Sequence, residues 1–117
     1  MPVRMYASFF RVLFIASYLN KEMSQKALAY LMRSDFNEGI VAGVPPSVLV
    51  AHKFGERVSG ARLEDRQLHD CGIVYYPNSP YLLCIMSRGS DFTTLDDIIK
   101  DLSLLVYKEV DRRHRVQ

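Results

Sequence analysis

An apolar, β-branched run, Val48-Leu49-Val50-Ala51, carries the chain directly into His52-Lys53-Phe54-Gly55-Glu56. Such a run suits a pleated, half-buried surface, so the segment is expected to form a sheet strand. It ends in a lysine, and the glycine two residues later leaves room for another backbone or a ligand to approach. Together these features describe one wall of a cleft. They also constrain the rest of the chain, which must supply the strands and helices that cover this one.

Tyr6, Phe9, Phe10, Leu13 and Phe14 recur at helical spacing and predict a helix from Val3 to about Tyr18 with one strongly apolar stripe. Ser24 is the expected N-cap of a second helix, Gln25 to Arg33, burying Leu28, Leu31 and Met32. Two breaks follow, at residues 34–39 and 43–47, and Pro45-Pro46 favours an extended entry into the strand. Beyond Gly55, the polar stretch Arg57 to Gln67 bends at Ser59-Gly60 and reads as a mobile loop at the cleft end of that strand.

Two further strands, Asp70 to Tyr76 and Tyr81 to Ser87, flank Pro77-Asn78-Ser79-Pro80 as a β-hairpin. If Tyr76 pairs with Tyr81, Cys71 falls opposite Met86 and Cys84 opposite Ile73. The two cysteines then share a face without pairing and read as buried free thiols. Thr93 or Thr94 caps a last helix whose stripe is Leu95, Ile98, Ile99, Leu102, Leu105, Val106 and Val110. Asp96 and Asp97 in its first turn, and Arg112, Arg113 and His114 at its end, suit the helix dipole.

The expected fold is therefore α+β, a single domain over residues 1–117. A three-stranded antiparallel sheet in chain order carries the C-terminal amphipathic helix on one face and the N-terminal helices around the other face or end. A chain of 117 residues supports one core. With 24% charged and 49% hydrophobic residues, wholesale disorder is not expected. A formal charge of +2 gives no case for nucleic acid or anionic lipid. The apolar run from Phe9 to Ala16 is interrupted by Arg11, falls short of the ~20 residues of a membrane span and is not followed by a cleavage pattern. His52, His69 and His114, with Cys71 and Cys84, lack metal-ligand spacing, so neither metal nor other cofactor is expected.

The order helix, helix, strand ending in Lys53-Phe54-Gly55, then Leu68-His69-Asp70-Cys71-Gly72-Ile73-Val74-Tyr75-Tyr76-Pro77, a third strand and a terminal helix resembles the C-terminal half of the serine β-lactamases, class A in particular. Val41-Ala42-Gly43-Val44-Pro45 ahead of Val50-Ala51-His52-Lys53 adds to the likeness. The resemblance covers nearly all of this chain but about half of that family's fold. Three elements meet at the family's site: a Ser-x-x-Lys helix with the nucleophile, a Ser-Asp-Asn loop, and a Lys-Thr/Ser-Gly strand. Only the last has a counterpart here. No serine of the chain is followed by lysine at the fourth position, and Ser34-Asp35 is followed by Phe36 where asparagine is required.

The resemblance implies cleft roles for Lys53, Gly55 and Glu56, with no complete catalytic set, and His69, at the start of the second strand, is a further candidate for the cleft lining. The Lys53 ammonium would offer positive potential to a substrate carboxylate, and the Glu56 amide would match an oxyanion donor. The plainer readings are a solvated lysine at a strand end and a structural histidine. Phe54 stands where the family has a hydroxyl that binds the substrate carboxylate, and phenylalanine has no donor. Without a nucleophile activated by an adjacent base, this chain alone is expected to be inactive as an acyl-transfer enzyme. Two functions follow: the C-terminal segment of a β-lactamase-like hydrolase whose parent takes a small acyl substrate, or a non-catalytic association module derived from that fold. The expected partners are a second copy or the missing N-terminal half, since an uncovered sheet edge invites strand addition. The resemblance implies an extracytoplasmic full-length parent.

Overall fold

A computed structural model describes residues 2–16, 19–58 and 66–116. Helix α1 spans Val3–Phe14 and helix α2 Lys21–Leu31. A 3₁₀ turn, Ile40–Gly43, leads into strand β1, Val50–Val58. Strands β2, Arg66–Val74, and β3, Tyr81–Gly89, follow, and helix α3 covers Phe92–Arg115. The strands form one antiparallel sheet in the order β1-β2-β3. None of these helices is long and apolar enough to cross a membrane.

Each face of the sheet has its own core. On one side, α3 and the 3₁₀ turn bury Leu95, Ile99 and Ile40 against Val50, Leu68 and Val74, with Phe36 and Val44 completing the cluster. On the other, α1 and α2 bring Phe10 and Leu28 onto Ala51, Cys71 and Ile73. The strict alternation Val50 to one face and Ala51 to the other follows from the period of two along a strand. The expected α+β fold is present, with α3 opposite the N-terminal helices.

Several local expectations are corrected. Helix α1 stops at Phe14, and Ala16 adopts a left-handed φ of 55°. The N-cap of α2 is Asn20, whose side chain accepts from the Met23 amide, and Ser24 lies inside the helix at 2% exposure. Asp91 caps α3 by accepting from the Thr93 amide. Arg57, Val58, Arg66 and Gln67 belong to β1 and β2, so the ladder extends further than expected. Ser59-Gly60 and the remainder of the expected loop, residues 59–65, lie outside the described residues.

The hairpin register differs by two residues. Val74 pairs with Tyr81, which puts Cys71 directly opposite Cys84, and the two form a disulfide. The expectation of free thiols is overturned. The reason lies in the turn, where the Tyr76 hydroxyl donates to Asp111 of α3 at 2.8 Å and Ser79 meets His114 Nε2 at 2.6 Å. Asn78 takes a left-handed φ of 62°. Tyr76 and Ser79 are thus held by α3, and residues 75–80 do not prolong the β2–β3 ladder.

The 3₁₀ turn is fixed equally firmly. The Ile40 amide donates to Asp70 Oδ2 at 3.0 Å, and the Ile40 carbonyl accepts from the Ser103 hydroxyl at 2.8 Å. Gly43 permits the contact, because a Cβ there would fall 2.6 Å from both the Leu104 nitrogen and the Lys100 carbonyl of α3.

Candidate functional site

Strand β1 lies at one edge of the sheet and carries three of the four residues singled out in the sequence. The pairing register sorts them into rows across the strands. Lys53, Cys71 and Cys84 form one row, Gly55, His69 and Met86 the next, and Arg57, Gln67 and Arg88 the third. All three rows share the face covered by α1 and α2. Glu56 falls on the opposite face, in a row with Leu68 and Ser87, so its side chain is separated from the other three candidates by the sheet itself.

Lys53 is exposed, and its ammonium donates to the Phe54 carbonyl at 2.7 Å and lies 5.0 Å from the centre of the Phe54 ring. Phe54 is turned to the other face, where its ring stacks on Phe36 with centroids 4.3 Å apart. The position is therefore spent on packing against the α3-side core. This accounts for an aromatic where the resemblance requires a hydroxyl.

Gly55 makes room, but for a side chain of the same protein. The His69 imidazole lies across it: a Cβ at residue 55 would collide with His69 Cε1 and sit 2.6 Å from Nε2. Tyr6 of α1 meets the same imidazole edge-on, with centroids 4.8 Å apart. His69 titrates below its ordinary value of 6.5, chiefly because burial disfavours the imidazolium and then because the Lys53 charge repels it, with Asp70 acting in the opposite direction. Burial, with a smaller push from Asp70, raises the Tyr6 phenol above 10.0. The geometry thus unites Lys53, Gly55 and His69 and leaves out the Glu56 side chain.

Sequence reasoning missed the buried pair behind the site. His52 Nδ1 donates to Asp70 Oδ1 at 2.8 Å, with the two side chains 2% and 0% exposed. A histidine and an aspartate 18 residues apart carry no local signal, and only the β1–β2 register brings them together. The pair is sealed from solvent, so it serves to fasten the 3₁₀ turn to the sheet. No group of three or more His, Cys, Asp or Glu suited to a metal occurs among the described residues.

The sequence profile of the beta-lactamase enzyme family matches residues 2–110. The chain belongs to that family. A search of curated proteins returns no match. Among solved structures, a class A beta-lactamase from Bacteroides cellulosilyticus superimposes with a TM-score of 0.80 at 18% identity, over 92% of this chain and 40% of the other. The structure of PBP-A gives 0.75 at 19% identity, over 91% of this chain and 38% of the other. A class A beta-lactamase described as the last common ancestor of Gram-negative bacteria gives 0.76 at 21% identity, over 90% and 39%. The chain therefore spans about 40% of the length of the structures whose fold it shares. That fold is the one the Lys53-Phe54-Gly55 strand and its flanking elements led us to expect.

Proposed function

We propose that this chain is the C-terminal, sheet-bearing segment of a β-lactamase-like hydrolase and performs no acyl transfer by itself. The observation that carries the reading is the pairing of an exposed Lys53 on an edge strand with the absence of any Ser-x-x-Lys segment in the 117 residues. A serine hydroxyl needs an adjacent base to attack a carbonyl, and the lysine wall alone supplies charge without a nucleophile. In a complete protein, Lys53 and the Glu56 amide would face a small acyl substrate from this wall, and His69 would flank them. Phe54 argues for a substrate whose recognition does not depend on a hydroxyl at that position.

The test is direct. The purified chain should neither hydrolyse a chromogenic cephalosporin nor gain mass on incubation with a fluorescent penicillin. Stoichiometric covalent labelling would refute the reading. In a complete protein carrying a Ser-x-x-Lys helix, Lys53→Ala should lower the acylation rate far more than it lowers folding stability, and equal acylation would remove Lys53 from the site.

A second reading, an association module, rests on the surface beside β3. Among the described residues that strand has no strand neighbour on its outer side, Leu82 and Met86 are exposed along it, and Ile98, Leu102 and Leu105 are exposed on α3. An open edge flanked by apolar side chains favours strand addition, by a second copy or by an N-terminal half.

A further inference from the structure

On the face that carries Lys53, the far ends of β1, β2 and β3 and the first turns of α1 enclose a cavity of about 220 Å³. Its lining divides into two halves. Met86 and the Tyr6 ring give an apolar floor, Arg57, Gln67 and His69 give a polar mouth, and Leu68 and Ser87 border it from β2 and β3 with their side chains turned to the other face. The Ser87 hydroxyl is already engaged, donating to the Leu68 carbonyl at 2.7 Å. By contrast, among the described residues the side chains of Arg57 and Gln67, the ring nitrogens of His69 and the Tyr6 hydroxyl have no hydrogen-bond or ion-pair partner. Polar groups that converge on one cavity without engaging each other are available to orient a ligand. Here they are not matched to each other.

We propose that this cavity binds a small monocarboxylate with a short apolar body, its carboxylate held by Arg57, Gln67 and His69 and its body resting on Met86 and Tyr6. Charge selects the anion: among the described residues, Arg57 lines the cavity and no acidic side chain does. The planar guanidinium fork matches a carboxylate in two parallel hydrogen bonds. A phosphate would leave the apolar half of the cavity unused and would bring a second negative charge against Arg57, the one lining cation among the described residues. Neutral His69 has one N–H to donate, and an anion beside it would draw its titration upward again. The site stands apart from the wall formed by Lys53 and the Glu56 amide, and it requires no acyl transfer.

Benzoate is a suitable probe, followed by two-dimensional NMR of the His69 ring and the Met86 methyl group in the full chain. Saturable shifts of both signals are expected, with an upward move of the His69 titration at saturation. Benzamide, uncharged and of the same shape, should bind about tenfold more weakly, and so should benzoate to Arg57→Gln, whose exposed side chain is not needed for folding. Lys53→Ala should change benzoate affinity by less than about threefold, because screened charge at a distance contributes little. The absence of saturable shifts would overturn the proposal. So would equal binding of benzamide, equal binding by Arg57→Gln, tighter binding of inorganic phosphate, or dependence on Lys53 greater than on Arg57. None of these outcomes bears on the penicillin-labelling test.

Discussion

Asp70 uses one carboxylate oxygen to hold His52 and the other to hold the Ile40 amide, at 2.8 Å and 3.0 Å, from a position with no solvent exposure. One side chain of β2 thereby joins β1 to the turn that precedes it. Removing one member of a buried charged or hydrogen-bonded pair leaves its partner unsatisfied, which typically costs about 3–5 kcal/mol. Asp70→Ala is therefore expected to lose stability on that scale in denaturant titration. Asp70→Asn, which keeps an acceptor for one of the two donors, should lose less. Hydrogen exchange at the Ile40 amide should accelerate in both. A loss below about 1 kcal/mol for the alanine variant would show that the turn is held by Ser103 and Gly43 alone.

The disulfide leads to a second expectation. Cys71 and Cys84 are direct cross-strand partners separated by 13 residues, so thiol counting after denaturation without reductant should return zero. Closing a loop of this size removes unfolded-state entropy worth about 3 kcal/mol. Reduction, or the double change to serine, should lower the denaturation midpoint accordingly. Two free thiols per native chain would contradict the pairing.

The hairpin illustrates what the sequence conveys and what it withholds. Strand alternation is local, and a register error of two residues keeps every side chain on its correct face. Cys71 and Cys84 were therefore legible as sharing a face, while their pairing was not. The deciding contacts, Tyr76 to Asp111 and Ser79 to His114, each span 35 residues and leave no trace in the turn's composition. The same holds for the site. The tripeptide Lys53-Phe54-Gly55 announced a cleft wall, but Gly55 accommodates His69, and that fact depends on the β1–β2 register and on Tyr6 arriving from α1. Helix caps failed for a different reason. Ser24 is a chemically competent cap, and Asn20 takes the role because α2 starts one turn earlier.

His69 supplies a pH expectation. Its folded-state value lies below 6.5, so between that value and 6.5 the unfolded chain binds more protons than the folded one. This contribution to stability is complete above the unfolded value and is lost as the pH falls through the folded value. An NMR titration of the His69 ring should place its midpoint below that of an unstructured peptide. Replacing Lys53 with methionine should raise the midpoint by removing the repelling charge, while burial against Tyr6 keeps it below 6.5. A midpoint at or above 6.5 in the native protein would mean that the imidazole is solvated and does not lie between Gly55 and Tyr6.

Self-association is the remaining expectation, and it follows from the unequal treatment of the two sides of α3. Leu95, Ile99 and Ser103 are buried, whereas Ile98, Leu102 and Leu105 are 43%, 42% and 65% exposed. With 3.6 residues per turn, those three form a second stripe on the flank of the helix away from Lys100 and Leu104, which meet Gly43 of the 3₁₀ turn. Covering roughly 400 Å² of such surface would contribute about 10 kcal/mol at 25 cal/mol per Å². Association itself costs an estimated 4–15 kcal/mol, so the expected product is a weak, concentration-dependent dimer and not an obligate one. Sedimentation equilibrium over a dilution series should show the average mass rising with concentration. Leu105→Glu, which places a charge on the most exposed member of the stripe, should keep the chain monomeric without loss of folding. A compact monomer at every concentration, or a dimer indifferent to Leu105→Glu, would rule this flank out as the contact.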